Sequence, residues 1–447
     1  MDVCGRDREE TMQALESSEW NTSEAICVLT EAKSTLEVED SWADIGLHPT
    51  SVSLAEKGPG KAASTQEIIE FYQKKNIDCS DEVTVVVNRE EVWKCALTFY
   101  KLAMKSPERL SRTLFVEFQN EEGIDGGALR LEFFELVLQE IKQRFFEGDN
   151  NLIPRRSLGG AGFQLHLSGM MIAHSIMQDG PSFPFLASWV YDYLVEGETE
   201  SVMDKILLSD ITKGPSTADL LQFVKALDEA ETNEDVNDIL DDSNPSAVSY
   251  WQQINMSNWN TGEVINLKNK SALIKELVVQ EAFHRRKAQL QFFKDGLKAL
   301  EFLSMLQAHP EKLQLLLVKT QQNFTAEEFV NLIENKDERP AIHAEGNAFD
   351  WFMEYILEAD DEKTEEFPEG KLNTILHFCT GLWQVPPTGL RNEISIKYLE
   401  DDDEKEFPEA IVCSAIILLP VVHSSKKIFD LRFNSALRLG HSGFGNY

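Results

Sequence analysis

The chain has 447 residues, with 42 Lys and Arg against 76 Asp and Glu for a net charge of −34, and 42% of its residues are hydrophobic. That apolar content builds substantial cores and is too high for a disordered chain, and about 150 residues per domain points to two to four domains. The negative charge disfavours nucleic acid and anionic membranes as partners, and six cysteines without a regular spacing form no disulfide framework but fit reduced thiols in the cytosol or nucleus.

Residues 1–40 read as two short helices, Glu9 to Glu16 and Thr22 to Ala32, joined by a polar turn at Trp20 and Asn21. The charged start of the chain has no apolar core, so no signal peptide is expected there. Pro49, Gly58, Pro59 and Gly60 mark a linker over 41–67. A large, mostly helical region follows over 68–336. In it, Leu114, Val116 and Phe118 alternate as a short strand, and glycines at 123, 126 and 127 make a turn that Asp125 caps or braces. Next comes a helix over Leu129 to Phe146, with Leu129, Phe133, Val137, Ile141 and Phe145 on one face and Arg130 and Glu132 off it. A second long helix is expected from Ser271 to about Leu306. Residues 348–447 combine two helices with a strongly apolar strand. The longest apolar run, Ala415 to Val422, holds eight residues interrupted by Pro420, against roughly 20 for a membrane helix, so a soluble intracellular protein is expected.

Acidic residues cluster locally. Asp228 to Asp242 holds eight carboxylates and no base, and Glu400 to Glu409 holds seven against Lys405. Each run is either a solvated face or a docking surface for a basic partner. Several chemistries lack their minimum parts. Gly58-Pro59-Gly60-Lys61 is no phosphate loop, because Ala62 stands where Ser or Thr would hold magnesium. The glycines at 159, 160 and 162 lack dinucleotide-site spacing. No Cys-x-x-Cys, His-x-x-x-His or Gly-x-Ser-x-Gly occurs, so neither metal nor cofactor is expected.

Cys413 lies between Val412 and Ser414 in the expected apolar strand, where residue type alone suggests an inert core thiol. Its surroundings suggest more. Phe407-Pro408-Glu409-Ala410-Ile411-Val412-Cys413, with Leu419-Pro420 following, resembles the catalytic-cysteine segment of HECT ubiquitin ligases. Leu114 to Leu136 resembles that family's strand, glycine turn and helix. Phe349 to Tyr355 is similar to the aromatic helix that opens its smaller lobe, and Asn373 to Leu390 to the Thr-Gly and paired-proline segment within it. Phe444, four from the end, matches a phenylalanine that assists transfer. These matches fall in order, and the pattern is most similar to the divergent G-two/M-phase-specific members. Departures are Ile411, Val412 and Ser414 in place of His-Thr before the cysteine and Phe after it, and Ala128 where a second glycine is usual.

The resemblance implies an α+β, bilobal fold: a large, mostly helical N-lobe over 68–336, a hinge over 337–347 near Pro340, and a smaller α/β C-lobe over 348–447. Before them would stand a short helical element, 1–40, whose Ala14-Leu15, Trp20-Asn21 and Ala25-Ile26 resemble the last two helices of a ubiquitin-associated domain. It further implies a ubiquitin-protein ligase that accepts ubiquitin from a conjugating enzyme as a thioester on Cys413 and transfers it to substrate lysine. No cofactor is required. Ubiquitin, the conjugating enzyme and protein substrates are the partners. Thr380 and Gly381 would shape a loop beside the cysteine, Phe444 would anchor the tail, and an acid within Glu404 to Glu409 would assist the amine step. His423 either supplies the missing imidazole or is a surface histidine. Two other readings stay open: a catalytically weak or inactive scaffold of the same fold, and an acidic helical adaptor unrelated to ubiquitin.

Overall fold

The computed structural model describes residues 59–60, 62–120, 127–148, 151–156, 162–214, 217–240, 264–318, 324–334, 336–359, 364, 366–368, 370–386, 389–390, 392–399 and 405–439, with only the backbone of Cys413 and Leu439. The element expected over 1–40, Asp125, residues 400–404 and Phe444 lie outside the described residues.

Helix α1 (Thr65–Asn76) starts inside the stretch expected as linker. Ser64 and Glu67 fix that start reciprocally, each side chain accepting from the other's backbone N–H. Strand β1 (Asp78–Val87) buries Val83, Val85 and Val87 in alternation. It pairs in parallel with β2 (Arg112–Phe118) through the crossover helix α2 (Val92–Lys105). The far edge of β2 is covered by Gln178, whose amide accepts from Leu114 N–H at 3.2 Å and donates to the Arg112 carbonyl at 2.7 Å. Gly127, at φ 111, turns the chain into α3 (Ala128–Phe145), where Phe133, Val137, Ile141 and Phe145 of the expected apolar stripe are buried and Leu129 is half-buried. Arg130 and Glu132, expected off that face, are buried as well; Arg89 pairs with Glu132 and stands over the Phe118 ring.

Helix α4 (Gly162–Met177) is buried along most of its length, and α5 (Ser188–Glu196) follows it. The first acidic run falls on α6 (Ala218–Glu229) and α7 (Asn233–Leu240), where every described carboxylate of the run is exposed. The expected long helix from Ser271 is instead three: α8 (Lys270–Ala282), α9 (Lys287–Gly296) and α10 (Phe302–Ala308). The first break turns Arg286 inward to donate to Glu147, Glu281 and the Pro154 carbonyl. The second contains Leu300 and Glu301, both in the left-handed region. Each piece keeps an apolar face toward one core, so the sequence period runs on through both breaks.

Buried apolar residues fall into two clusters, one spanning Ile68 to Leu317 and the other Phe329 to Leu437. The second gathers α11 (Ala326–Asn331), α12 (His343–Leu357), α13 (Lys371–Thr380) and a three-stranded sheet. That sheet comprises β3 (Ser395–Tyr398), β4 (Glu409–Ile411) and β5 (Ile416–Leu419). Central β5 runs parallel to β3 and antiparallel to β4. Helix α14 (Lys426–Leu439) closes the cluster with Phe429, Phe433 and Leu437, so this region holds more than the two helices and one strand expected. Residues 343–347 of the expected hinge form the first turn of α12, and Ile333 bridges to Ile394. Among the described residues no helix is long and apolar enough to cross a membrane.

Candidate functional site

Cys413 does not lie in a strand. It sits in a 3₁₀ turn, Val412–Ser414, that joins β4 to β5. The registers Ile411↔Ile416 and Ser395↔Ile416 fix both ends of that turn, and only Val412 to Ala415 remain to reverse the chain. A continuous strand here would have carried every apolar residue along one flat ladder. The reversal instead places the turn at the end of the sheet, with Ile411 and Ser414 exposed beside it.

The C-terminal end of α13 packs against this turn. Thr380 is buried, its hydroxyl donating to the Leu376 carbonyl at 2.7 Å and accepting from Leu382 N–H at 3.2 Å. Gly381, at φ 73, ends the helix in the left-handed conformation and donates to the His377 carbonyl at 2.8 Å. Thr380, Leu382, Val412 and Ala415 form one wall of a cleft of about 290 Å³. The other wall belongs to the first cluster, including Gln66 and Glu70 of α1 and Asp179. Gln73 holds Asp179 at 2.8 Å, and Gln66 holds Glu70 at 3.0 Å. Those polar residues carry no local sequence signal, because only the tertiary arrangement brings them opposite the turn.

The other titratable residues expected near Cys413 are engaged elsewhere. His423 is half-buried, with its ring edge-on to Phe429 at 5.8 Å and its Nε2 buried without a hydrogen-bond partner. Burial lowers its pKa, against which the Glu406 backbone and carboxylate work, so the imidazole is neutral near pH 7. Of the acids between 404 and 409, Glu406 pairs with Arg432 and Glu409 with Lys405 at 3.1 Å. Cys379 is fully buried in α13, its thiol donates to the Ile375 carbonyl, and burial pushes its pKa up to about 12. No cluster of three or more metal-ligating side chains occurs among the described residues.

Residues 133–447 match the family described as HECT-domain (ubiquitin-transferase). The chain is 24% identical over 372 residues to the G2/M phase-specific E3 ubiquitin-protein ligases of Macaca fascicularis and Homo sapiens, covering 81% of this chain and 48% of each relative. It is 23% identical over 352 residues to the human E3 ubiquitin-protein ligase NEDD4, covering 74% of this chain and 25% of that protein. The chain thus spans about half the length of the first two relatives.

Proposed function

The chain belongs to the HECT-domain (ubiquitin-transferase) family, and from that premise we propose that it is a ubiquitin-protein ligase acting through Cys413. The observation that carries this reading is the 412–415 turn, which brings the cysteine's neighbours Val412 and Ala415 to the wall of a cleft. The Cys413 thiolate would attack the thioester carbonyl of ubiquitin on a conjugating enzyme, whose own thiolate leaves. Because one thioester replaces another, the step is nearly isoenergetic and needs a partly ionised thiol rather than a strong base. A substrate lysine amine would then attack the new thioester, lose its proton and release Cys413.

A two-lobe arrangement suits this relay, with the clusters of residues 68–317 and 329–437 as its lobes. Ile333 before the expected hinge is bridged to Ile394, and Arg339 within it donates to Asp350 at 3.0 Å. The exposed acidic face of α6 and α7 suits a basic conjugating-enzyme surface.

The apolar neighbours Ile411 and Val412, together with the ion-paired Glu406 and Glu409, favour a second reading: a weak or inactive scaffold of the same fold. One assay separates the two. Incubation with a panel of ubiquitin-charged conjugating enzymes should give a ubiquitin adduct that reductant removes and that Cys413→Ser converts to a reductant-resistant ester or abolishes. Absence of any such adduct across the panel would leave the scaffold reading standing.

A further inference from the structure

We propose that Ala415 is a positioning residue, whose left-handed backbone sets the direction of the Cys413 turn and holds that turn at the cleft. This inference rests on the reading of Cys413 as the acceptor thiol. Ala415 has φ 50 and ψ 42. Non-glycine residues seldom adopt that conformation, because Cβ crowds the backbone, although Asn and Asp tolerate it. Among the described residues, Asn120, Asp179, Leu300, Glu301 and Ala415 are the non-glycine residues with positive φ, and only Asp179 and Ala415 line the cleft. Asp is suited to the region. Ala is not, so the surrounding structure must impose it.

The restraints are visible. The Ala415 N–H donates to the Val412 carbonyl at 3.2 Å, closing the 3₁₀ turn, and its carbonyl accepts from Ser395 N–H at 2.9 Å, tying it to β3. On either side, Ile411 and Ile416 are cross-strand partners, so the chain must reverse within the residues between them. A run of right-handed residues closed by one left-handed residue makes that reversal. If residue 415 left this region, the ladder could be kept only by reorienting Val412 to Ser414. The buried Ala415 methyl group thus costs local backbone strain while the turn keeps a single direction.

The test compares the full chain with Ala415→Gly, Ala415→Asn and Ala415→Val. Each is assayed below its own unfolding transition. Two rates are measured: ubiquitin adduct formation from a charged conjugating enzyme, and alkylation of Cys413 by iodoacetamide, followed by peptide mass spectrometry. Val is β-branched and resists the left-handed region, so both rates should fall about tenfold. Asn is of comparable bulk but enters that region, so it should recover most of the loss, as should Gly. Val reacting at the parental rate, or Asn reacting no faster than Val, would overturn the proposal. The two readings fail separately. If the parent chain forms no ubiquitin adduct, the ligase reading falls, and the ordering of alkylation rates still decides the role of Ala415.

Discussion

Two regions of this molecule treat their backbone in opposite ways. Where α4 crosses α9, the helices approach so closely that a Cβ on Gly296 would collide with the His166 carbonyl, and Arg286 nearby is buried among Glu147, Glu281 and a backbone carbonyl. At the Cys413 turn, four residues between two short strands carry the reversal, with an exposed Ile411 on one side and a left-handed Ala415 on the other. The first region gains stability from close packing and leaves no room for a side chain to move. The second is held by the registers of its strands. Chemistry that needs access fits the second; the first fixes the scaffold that α1 and α3 present across the cleft.

Perturbing the scaffold should therefore unfold the protein, and perturbing the turn should not. The largest expected effect is Arg286→Ala. Removing this buried guanidinium takes the ion-pair partner from Glu147 and a donor from the Pro154 carbonyl, while Glu281 keeps Arg285 at 2.8 Å, and should cost about 3–5 kcal/mol in denaturant unfolding. Gly296→Ala comes next. It must push α4 and α9 apart, at about 3 kcal/mol by the same measurement, and an unchanged midpoint would mean that the crossing is looser than described.

A third test uses pH. His174 is fully buried against Phe99 and Phe134, with its Nδ1 2.8 Å from the Tyr100 hydroxyl. Burial first, and the Arg130 charge second, lower its pKa from 6.5 to about 3. Between these values the unfolded chain takes up a proton that the folded chain refuses. Stability should thus fall as pH drops from 6.5 toward 3, by of the order of a few kcal/mol in all. His174→Gln should flatten that acid slope; an equally steep slope in the variant would assign it to other groups. The smallest effect is expected at the surface. Arg339 and Asp350 are both solvent-accessible, so Arg339→Ala should leave thermal unfolding nearly unchanged.

How much of this was legible in the sequence depended on whether the signal was local. The strand and helix around residues 112–145 follow from alternation and an i+4 stripe, and both appear where expected. Phe429, Phe433 and Leu437 carry the same spacing, so α14 was readable but stood behind the more apolar segment before it. The three helices over 270–308 were not separable, because periodicity records which face is buried and not where Arg286 must turn inward. The motif around Cys413 singles it out, yet the turn that carries it is not the expected strand. Apolar residues on both sides of 412–415 belong to two antiparallel strands, and no glycine marks the reversal. The polar wall from α1 and Asp179 left no trace near Cys413, being more than 200 residues away in the chain.

Acceptance of ubiquitin by Cys413 can be read directly. The direct test is a single-turnover reaction of the full chain with a ubiquitin-charged conjugating enzyme, quenched without reductant and read by intact mass and peptide mapping. One ubiquitin per chain is expected, released by reductant and mapped to the peptide carrying Cys413, with Cys379 unmodified. Ubiquitin found only on lysines of a Cys413→Ala chain, or on another cysteine, would contradict it.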